Sequence, residues 1–166
     1  MARKEDPKYT VVKDTREQQG YHFGPYSTCA GMIERKLDTG DYSIEGLEDQ
    51  ICIERKASPE ELGVNLGQKK YAFMNEIARM KSFEHKFIVL EFSAEDLINF
   101  PDNSKIPAEK KKTLKITGKY IMKCLMEFQL YDNIHVLFCG DKHNAFLTVS
   151  SLLKRINEKY TVGRKK

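Results

Sequence analysis

The stretch "GDYSIEGLEDQICIERK", Gly40 to Lys56, decides the fold. Two strand-forming runs, "YSI" and "ICI", flank "EGLEDQ", whose glycine and acids are turn chemistry, so the stretch predicts a hairpin. Charges stand where a core-building strand would not place them. Asp41 opens the first run, and Glu54, Arg55 and Lys56 close the second. Strand side chains alternate between faces, so Ile51, Ile53 and Arg55 share one face and Cys52, Glu54 and Lys56 the other. A hairpin lets Asp41 approach Glu54 and Lys56, which predicts two acids and a lysine in one cluster.

That cluster suits phosphodiester hydrolysis. Magnesium takes oxygen ligands in near-octahedral geometry, usually a few carboxylates with waters and substrate phosphate. Asp41 and Glu54 supply carboxylates, and the main-chain carbonyl of Arg55 is a further oxygen. A cation held there acidifies a water for attack. Lys56 would orient that water or stabilise charge developing on the phosphate, and Arg55 could grip a phosphate bidentately. Read alone, a Glu-x-Lys pair at a strand end is usually an exposed ion pair worth about 0–1 kcal/mol.

Outward from the hairpin, "YTVVK" (Tyr9 to Lys13) reads as a strand running into "DTRE", and "QQGYHFGPYS" as a turn-rich loop. "CAGMIERKLDTGDYSI" reads as one extended segment with a bend near Thr39-Gly40. After the hairpin, Ser58 is an N-cap with Pro59 at the first helical position and Glu60 and Glu61 at the positive helix end. Phe73, Ile77 and Met80 recur at helical spacing. "KFIVLEF" and "IHVLFC" read as buried strands. "SAEDLINF" is a short capped helix, and residues 106–131 are mostly helical with a break near Thr117-Gly118. Asp141 caps a final amphipathic helix. Three strands in a row, then helix, strand, helices, strand, helix, predict an α/β chain with a mixed central sheet flanked by helices.

With 166 residues, 40% apolar and 31% charged, the chain has the composition of one globular domain. Residues 1–8 read as a flexible start, 9–160 as the domain and 161–166 as a basic tail. No apolar run approaches the roughly 20 residues of a membrane span, and "MARKEDPKY" lacks the apolar core of a secretory signal. The four cysteines are scattered without a CxxC pair, against a zinc site and in keeping with a reducing compartment. The four histidines do not form a spaced metal set. A net charge of +4 is weak evidence for a nucleic-acid partner. Its distribution says more: Lys110, Lys111, Lys112, Lys115 and Lys119 crowd one segment, and "GRKK" ends the chain. Such clusters are either phosphate-facing footprints or solvated faces.

"VVKDTRE", "GDY" and "IERK", in that order and spacing, resemble the nuclease domain of the XPF family, structure-specific DNA endonucleases of restriction-endonuclease-like, PD-(D/E)xK type. The family pattern is a strand ending D-x-R-E, then G-D, then E-R-K with an aspartate shortly after. Asp14, Arg16 and Glu17 match the first element, Gly40 and Asp41 the second, and Glu54, Arg55 and Lys56 the third. The resemblance extends over about residues 10–160 and is strongest to compact, stand-alone members from bacteria and their phages.

The resemblance implies a Mg²⁺-dependent endonuclease, with Mn²⁺ able to substitute, acting on branched, flap or junction DNA in repair or recombination. It makes Asp41 and Glu54 metal ligands, with Asp14 and Glu17 as the acidic pair completing the pocket and Glu17 a further ligand. Lys56 becomes the catalytic lysine. Arg16 and Arg55 contact phosphate or anchor the acids. Two departures stand out. Glu60 or Glu61 takes the place of the expected aspartate, and the arginine expected on the next helix has no clear match, leaving Lys69 and Lys70 as nearby charges. The tandem helix-hairpin-helix module is not expected here, so DNA binding would rest on lysine clusters, a homodimer through the nuclease-domain helices, or a protein partner. The last helix, with Phe146, Val149, Leu152, Leu153 and Ile156, is a candidate for that contact or simply core. The implied setting is the cytoplasm of a prokaryotic or phage-infected cell, or a eukaryotic nucleus. The competing reading is a non-catalytic DNA-binding or scaffold subunit, against which the intact Asp41, Glu54 and Lys56 argue.

Overall fold

The computed structural model describes residues 7–162, so most of the expected flexible start and the "GRKK" end lie outside the described residues. Six strands form one sheet: β1 (Tyr9–Lys13), β2 (Cys29–Glu34), β3 (Tyr42–Ile44), β4 (Ile51–Lys56), β5 (His85–Leu90) and β6 (His135–Phe138). Their spatial order is β2-β1-β3-β4-β5-β6. The sheet is mixed, as expected. β3 pairs antiparallel with both β1 and β4, while β1–β2, β4–β5 and β5–β6 are parallel.

Two strand expectations are corrected. The extended segment from Cys29 to Ile44 is not one strand but two. It leaves β2 on the far edge, passes over β1, and returns as β3 between β1 and β4. Nothing in a period-two pattern reports that crossing. β6 is an edge strand, exposed at His135 and only half-buried elsewhere, rather than a buried one. An apolar run shows that a strand packs, not on how many sides it has neighbours.

The sheet separates two apolar clusters. Six helices follow the hairpin: α1 (Pro59–Leu66), α2 (Lys70–Met80), α3 (Ala94–Ile98), α4 (Ala108–Thr113), α5 (Gly118–Asp132) and α6 (Lys142–Thr161). Leu62 and Leu66 of α1, Phe73, Ile77 and Met80 of α2, and Ile121, Leu125 and Phe128 of α5 pack over Cys52, Ile88 and Leu90 on one face. Val149, Leu153 and Ile156 of α6 pack with Tyr21 and Phe23 over Val11, Ile51 and Ile53 on the other. The alternation read from "ICIERK" is therefore realised. Cys52 faces the α1/α2/α5 side, and Ile51 and Ile53 face α6. The apolar face of α6 is used within this core, where Val149, Leu153 and Ile156 are buried and Phe146 and Leu152 half-buried.

Capping follows the sequence. Ser58 accepts from the Glu61 amide, Ser93 forms a reciprocal capping box with Asp96, and Asp141 accepts from the Asn144 amide. The expected break falls at residues 114–117, where α4 ends and Thr117 caps α5. Among the described residues, no helix is long and apolar enough to cross a membrane.

Candidate active site

The bend before β3 is made by glycine. Gly40 has φ +85°, and a Cβ there would stand 2.7 Å from Cys52 Sγ, so only glycine lets the chain press onto β4 at this angle. The next residue exploits that closeness. The Asp41 amide donates to the Ile53 carbonyl at 2.8 Å, and Asp41 Oδ2 accepts from the Arg55 amide at 2.7 Å. The antiparallel register, Tyr42 opposite Ile53, thus sets the Asp41 carboxylate against the charged end of β4.

β4 is buried along its whole length, its charges included: Glu54 is 5%, Arg55 7% and Lys56 4% exposed. Lys56 Nζ donates to Glu54 Oε1 at 2.7 Å, stands 3.9 Å from Glu61 Oε1, and lies 5.0 Å from the centre of the Phe73 ring. This is no surface ion pair. Burial by itself would lower the Lys56 pKa, but Glu54 and Glu61 outweigh it and hold the ammonium above its ordinary value.

The acids are under the opposite pressure. Burial pushes Asp41 up to about 7, with the charges of Glu17 and Glu76 adding to it and the Arg55 amide opposing. Burial, then the Asp41 charge, drives Glu54 well above the ordinary carboxylate range. The charge of Glu76 on α2, which lines the same cavity, adds to the pressure on Glu54. The site therefore carries more carboxylate than its bases balance.

Asp41 and Glu54 open, with Asp14, Arg16, Glu17, Arg55, Glu61 and Lys69, into a cavity of about 570 Å³. Asp14, 1% exposed, has its carboxylate filled: Oδ1 accepts from the Arg16 amide and Nε, and Oδ2 from Arg16 Nη2 and the Leu37 amide. Burial would raise its pKa, but the Arg16 hydrogen bonds bring it below the ordinary value. Asp14 and Arg16 thus brace the strand end together, with Arg16 Nη2 also donating to the Leu37 carbonyl at 2.7 Å. Arg55 forks onto Glu91, Nε to Oε1 at 2.6 Å and Nη2 to Oε2 at 2.9 Å, and reaches Glu17 at 3.4 Å. Of the two roles open to Arg55, this geometry is that of an anchor for acids.

Of the two glutamates after "ERK", Glu61 lines the cavity and accepts from the Ala57 amide at 2.8 Å, while Glu60 does not line it. Helical rotation separates neighbouring residues by about 100°, so only one can face inward. Lys69 lines the cavity, but Lys70 turns to Tyr120 Oη, 3.3 Å away. Arg79 of α2, a residue the sequence pattern did not mark, also lines the cavity, its Nε donating to Thr39 Oγ1 at 2.9 Å. Sequence reasoning passed over Glu76, Arg79 and Glu91. Glu76 and Arg79 stand three residues apart on the polar side of α2, which spacing alone could have shown.

Among the described residues, no three His, Cys, Asp or Glu side chains already stand as a ready-made metal-binding group. The donor chemistry nevertheless fits a hard divalent cation: carboxylate oxygens of Asp41 and Glu54 facing a cavity, and buried negative charge in excess.

Residues 14–152 match the ERCC4 domain family. Among solved structures, the chain is similar to XPF from Aeropyrum pernix, with a TM-score of 0.61 and 18% identity over 92% of this chain and 67% of that one. It is similar also to XPF from Aeropyrum pernix in complex with DNA, with a TM-score of 0.59 and 19% identity over 92% of this chain and 66% of that one. At such identity the likeness establishes the restriction-endonuclease-like fold, and the chain spans about two thirds of those chains. No curated protein matches it.

Proposed function

This chain belongs to the ERCC4 domain family of XPF-type nuclease domains, and from that premise we propose that it is a divalent-metal-dependent DNA endonuclease. Its substrates are branched, flap or junction DNA, and its setting is repair or recombination wherever the cell keeps its DNA, cytoplasm or nucleus. Mg²⁺ is the working cation, with Mn²⁺ able to replace it.

The observation that carries this reading is the array of half-buried Asp41 with buried Glu54 and Lys56: the two acids line the cavity, and Lys56 is bonded to Glu54 at 2.7 Å. Asp41 and Glu54 would hold the cation, with Glu17 beside them. Bound there, it supplies Lewis-acid neutralisation of the phosphate and a more acidic water. The residues of the chain do the rest. Lys56, kept charged by Glu54, is a fixed cation for the charge that develops on the phosphate. Glu61, 3.9 Å from Lys56 Nζ, is placed to exchange a proton through solvent. Arg55, locked by Glu91 and Glu17, fixes the β4 backbone whose amide orients Asp41. Asp14 and Arg16 hold the end of β1. Lys69 and Arg79 would meet the substrate backbone at the cavity wall, Arg79 with the guanidinium nitrogens that Thr39 does not occupy.

The test is cleavage of labelled duplex, flap, fork and four-way-junction DNA with Mg²⁺ or Mn²⁺, beside Asp41→Asn and Lys56→Ala. Metal-dependent cutting by the wild type is expected, with none by Asp41→Asn and a loss of about 100-fold or more in Lys56→Ala. Tight binding without cutting of any substrate would defeat the proposal in favour of a DNA-binding scaffold.

A further inference from the structure

The cavity that would receive the scissile phosphate is lined by more acids than bases. Its wall carries seven acids (Asp14, Glu17, Asp38, Asp41, Glu54 and Glu61, with Glu76) against four bases, Arg16, Arg55, Lys69 and Arg79. Several of those charges already cancel in pairs. Polyanion capture has to come from elsewhere on the molecule.

The charge lies in one place. Residues 105–123 hold seven lysines against one glutamate, net +6, so the remainder of the chain carries −2 of its total of +4. The tract comprises α4, the link that follows it and the start of α5. Six of the seven lysines are exposed. Lys111 is occupied by the Asp102 carbonyl, and Lys112 and Lys123 by neighbouring glutamates. Among the described residues, the ammonium groups of Lys105, Lys110, Lys115 and Lys119 have no hydrogen-bond or ion-pair partner.

The tract is held in register with the cavity. Ile116, in its middle, packs on α1 where Gly63 and Gly67 leave room, with Cγ1 only 3.4 Å from the place a Gly67 Cβ would take. Glu61 and Asn65 of the same helix line the cavity. Positions 63 and 67 lie on the opposite side of a helix from 61 and 65, so one helix thickness, about 10 Å, separates tract from cavity. Lys69 and Lys70 join the two, one at the cavity wall and the other at Tyr120 of α5.

We propose that residues 105–119 form a docking surface for the phosphate backbone of a duplex DNA arm, one helix thickness from the cleavage cavity, with Lys105, Lys110, Lys115 and Lys119 as the contacts. This rests on the endonuclease reading above. A duplex arm, not a single strand, is the occupant. Single-strand grooves interleave cations with aromatic rings on which bases stack, and residues 105–119 contain no aromatic ring. A duplex presents one phosphate charge per about 1.7 Å of its axis, which suits lysines spread over a short helix and the turn after it.

The test compares the wild-type chain with the variant in which Lys105, Lys110, Lys115 and Lys119 are all replaced by Gln, after circular dichroism and thermal melting show that both are folded. Fluorescence anisotropy with a fork bearing a 20-base-pair arm, and with a single strand of equal length, is recorded from 50 to 200 mM salt. Each phosphate contact contributes about 0.9 to the slope of log affinity against log salt. The variant should lose at least tenfold in fork affinity, with its slope shallower by about 2 to 3.6, and bind the single strand nearly as the wild type does. A slope unchanged within one unit overturns the docking surface, while metal-dependent cutting by the wild type leaves the endonuclease reading standing. Equal losses on fork and single strand overturn the duplex assignment. A wild type that binds no DNA defeats both.

Discussion

Asp41→Asn should stabilise the protein while abolishing its metal response, and the pH dependence separates this outcome from an ordinary surface substitution. The Asp41 pKa is pushed up to about 7, chiefly by burial and then by Glu17 and Glu76. A carboxyl raised on folding binds its proton more tightly in the native state. Stability is therefore highest below the unfolded value near 4, falls as pH rises towards 7, and is flat above that. Three pKa steps correspond to about 4 kcal/mol at most, and residual solvent contact and coupling to neighbouring acids bring the expectation to about half. Asparagine keeps an oxygen for the Arg55 amide and removes the charge. Asp41→Asn should thus gain about 2 kcal/mol at pH 8 and less than half of that at pH 5, seen at pH 8 as a melting temperature higher by about 6 °C. Urea titrations at both pH values with matched slopes measure it. Mg²⁺ in large excess should raise the wild-type melting temperature and leave that of the variant unchanged. A variant destabilised at pH 8, or stabilised equally at both pH values, would refute the view that Asp41 is held under charge pressure that a cation relieves.

Three further outcomes follow from the same geometry. Calorimetric titration of Mn²⁺ in buffers of different ionisation enthalpy should show about one proton or more released per cation at pH 6.5 and little release at pH 8.5, because ligation requires the Asp41 carboxylate; release that does not vary with pH would contradict this. Lys56→Ala should slow single-turnover cleavage by about 100-fold or more, and a loss of less than tenfold would reduce the lysine to a packing role over Phe73. Glu91→Ala leaves the buried Arg55 guanidinium with only Glu17 and should cost about 3 kcal/mol in urea unfolding; a cost under about 1 kcal/mol would show that Arg55 is not anchored by this pair.

How much of this was legible beforehand depends on the range over which each signal acts. The hairpin was readable because turn residues and period-two alternation are local, and alternation alone put Cys52, Glu54 and Lys56 on one face. The caps at Ser58, Ser93 and Asp141 were readable for the same reason. The β2 crossing was not, since a strand carries no mark of whether its neighbour is ten or forty residues away. Glu91 shows the limit within the site. It ends "KFIVLE" as an ordinary exit into solvent, and only the parallel pairing of β5 with β4, Leu90 opposite Lys56, brings it to Arg55. Glu76 and Arg79 are hidden differently, because a polar helix face gives no sign of whether water or a cavity lies opposite. The residues that the pattern did mark are those whose charge is most costly to bury, Glu54, Arg55 and Lys56. A strand end that keeps three charges almost wholly out of water is costly to the fold unless its partners are in place. One of them, Glu54, lacks full compensation among the residues around it. A cation between Asp41 and Glu54, whose carboxyls both face the cavity, would relieve that pressure.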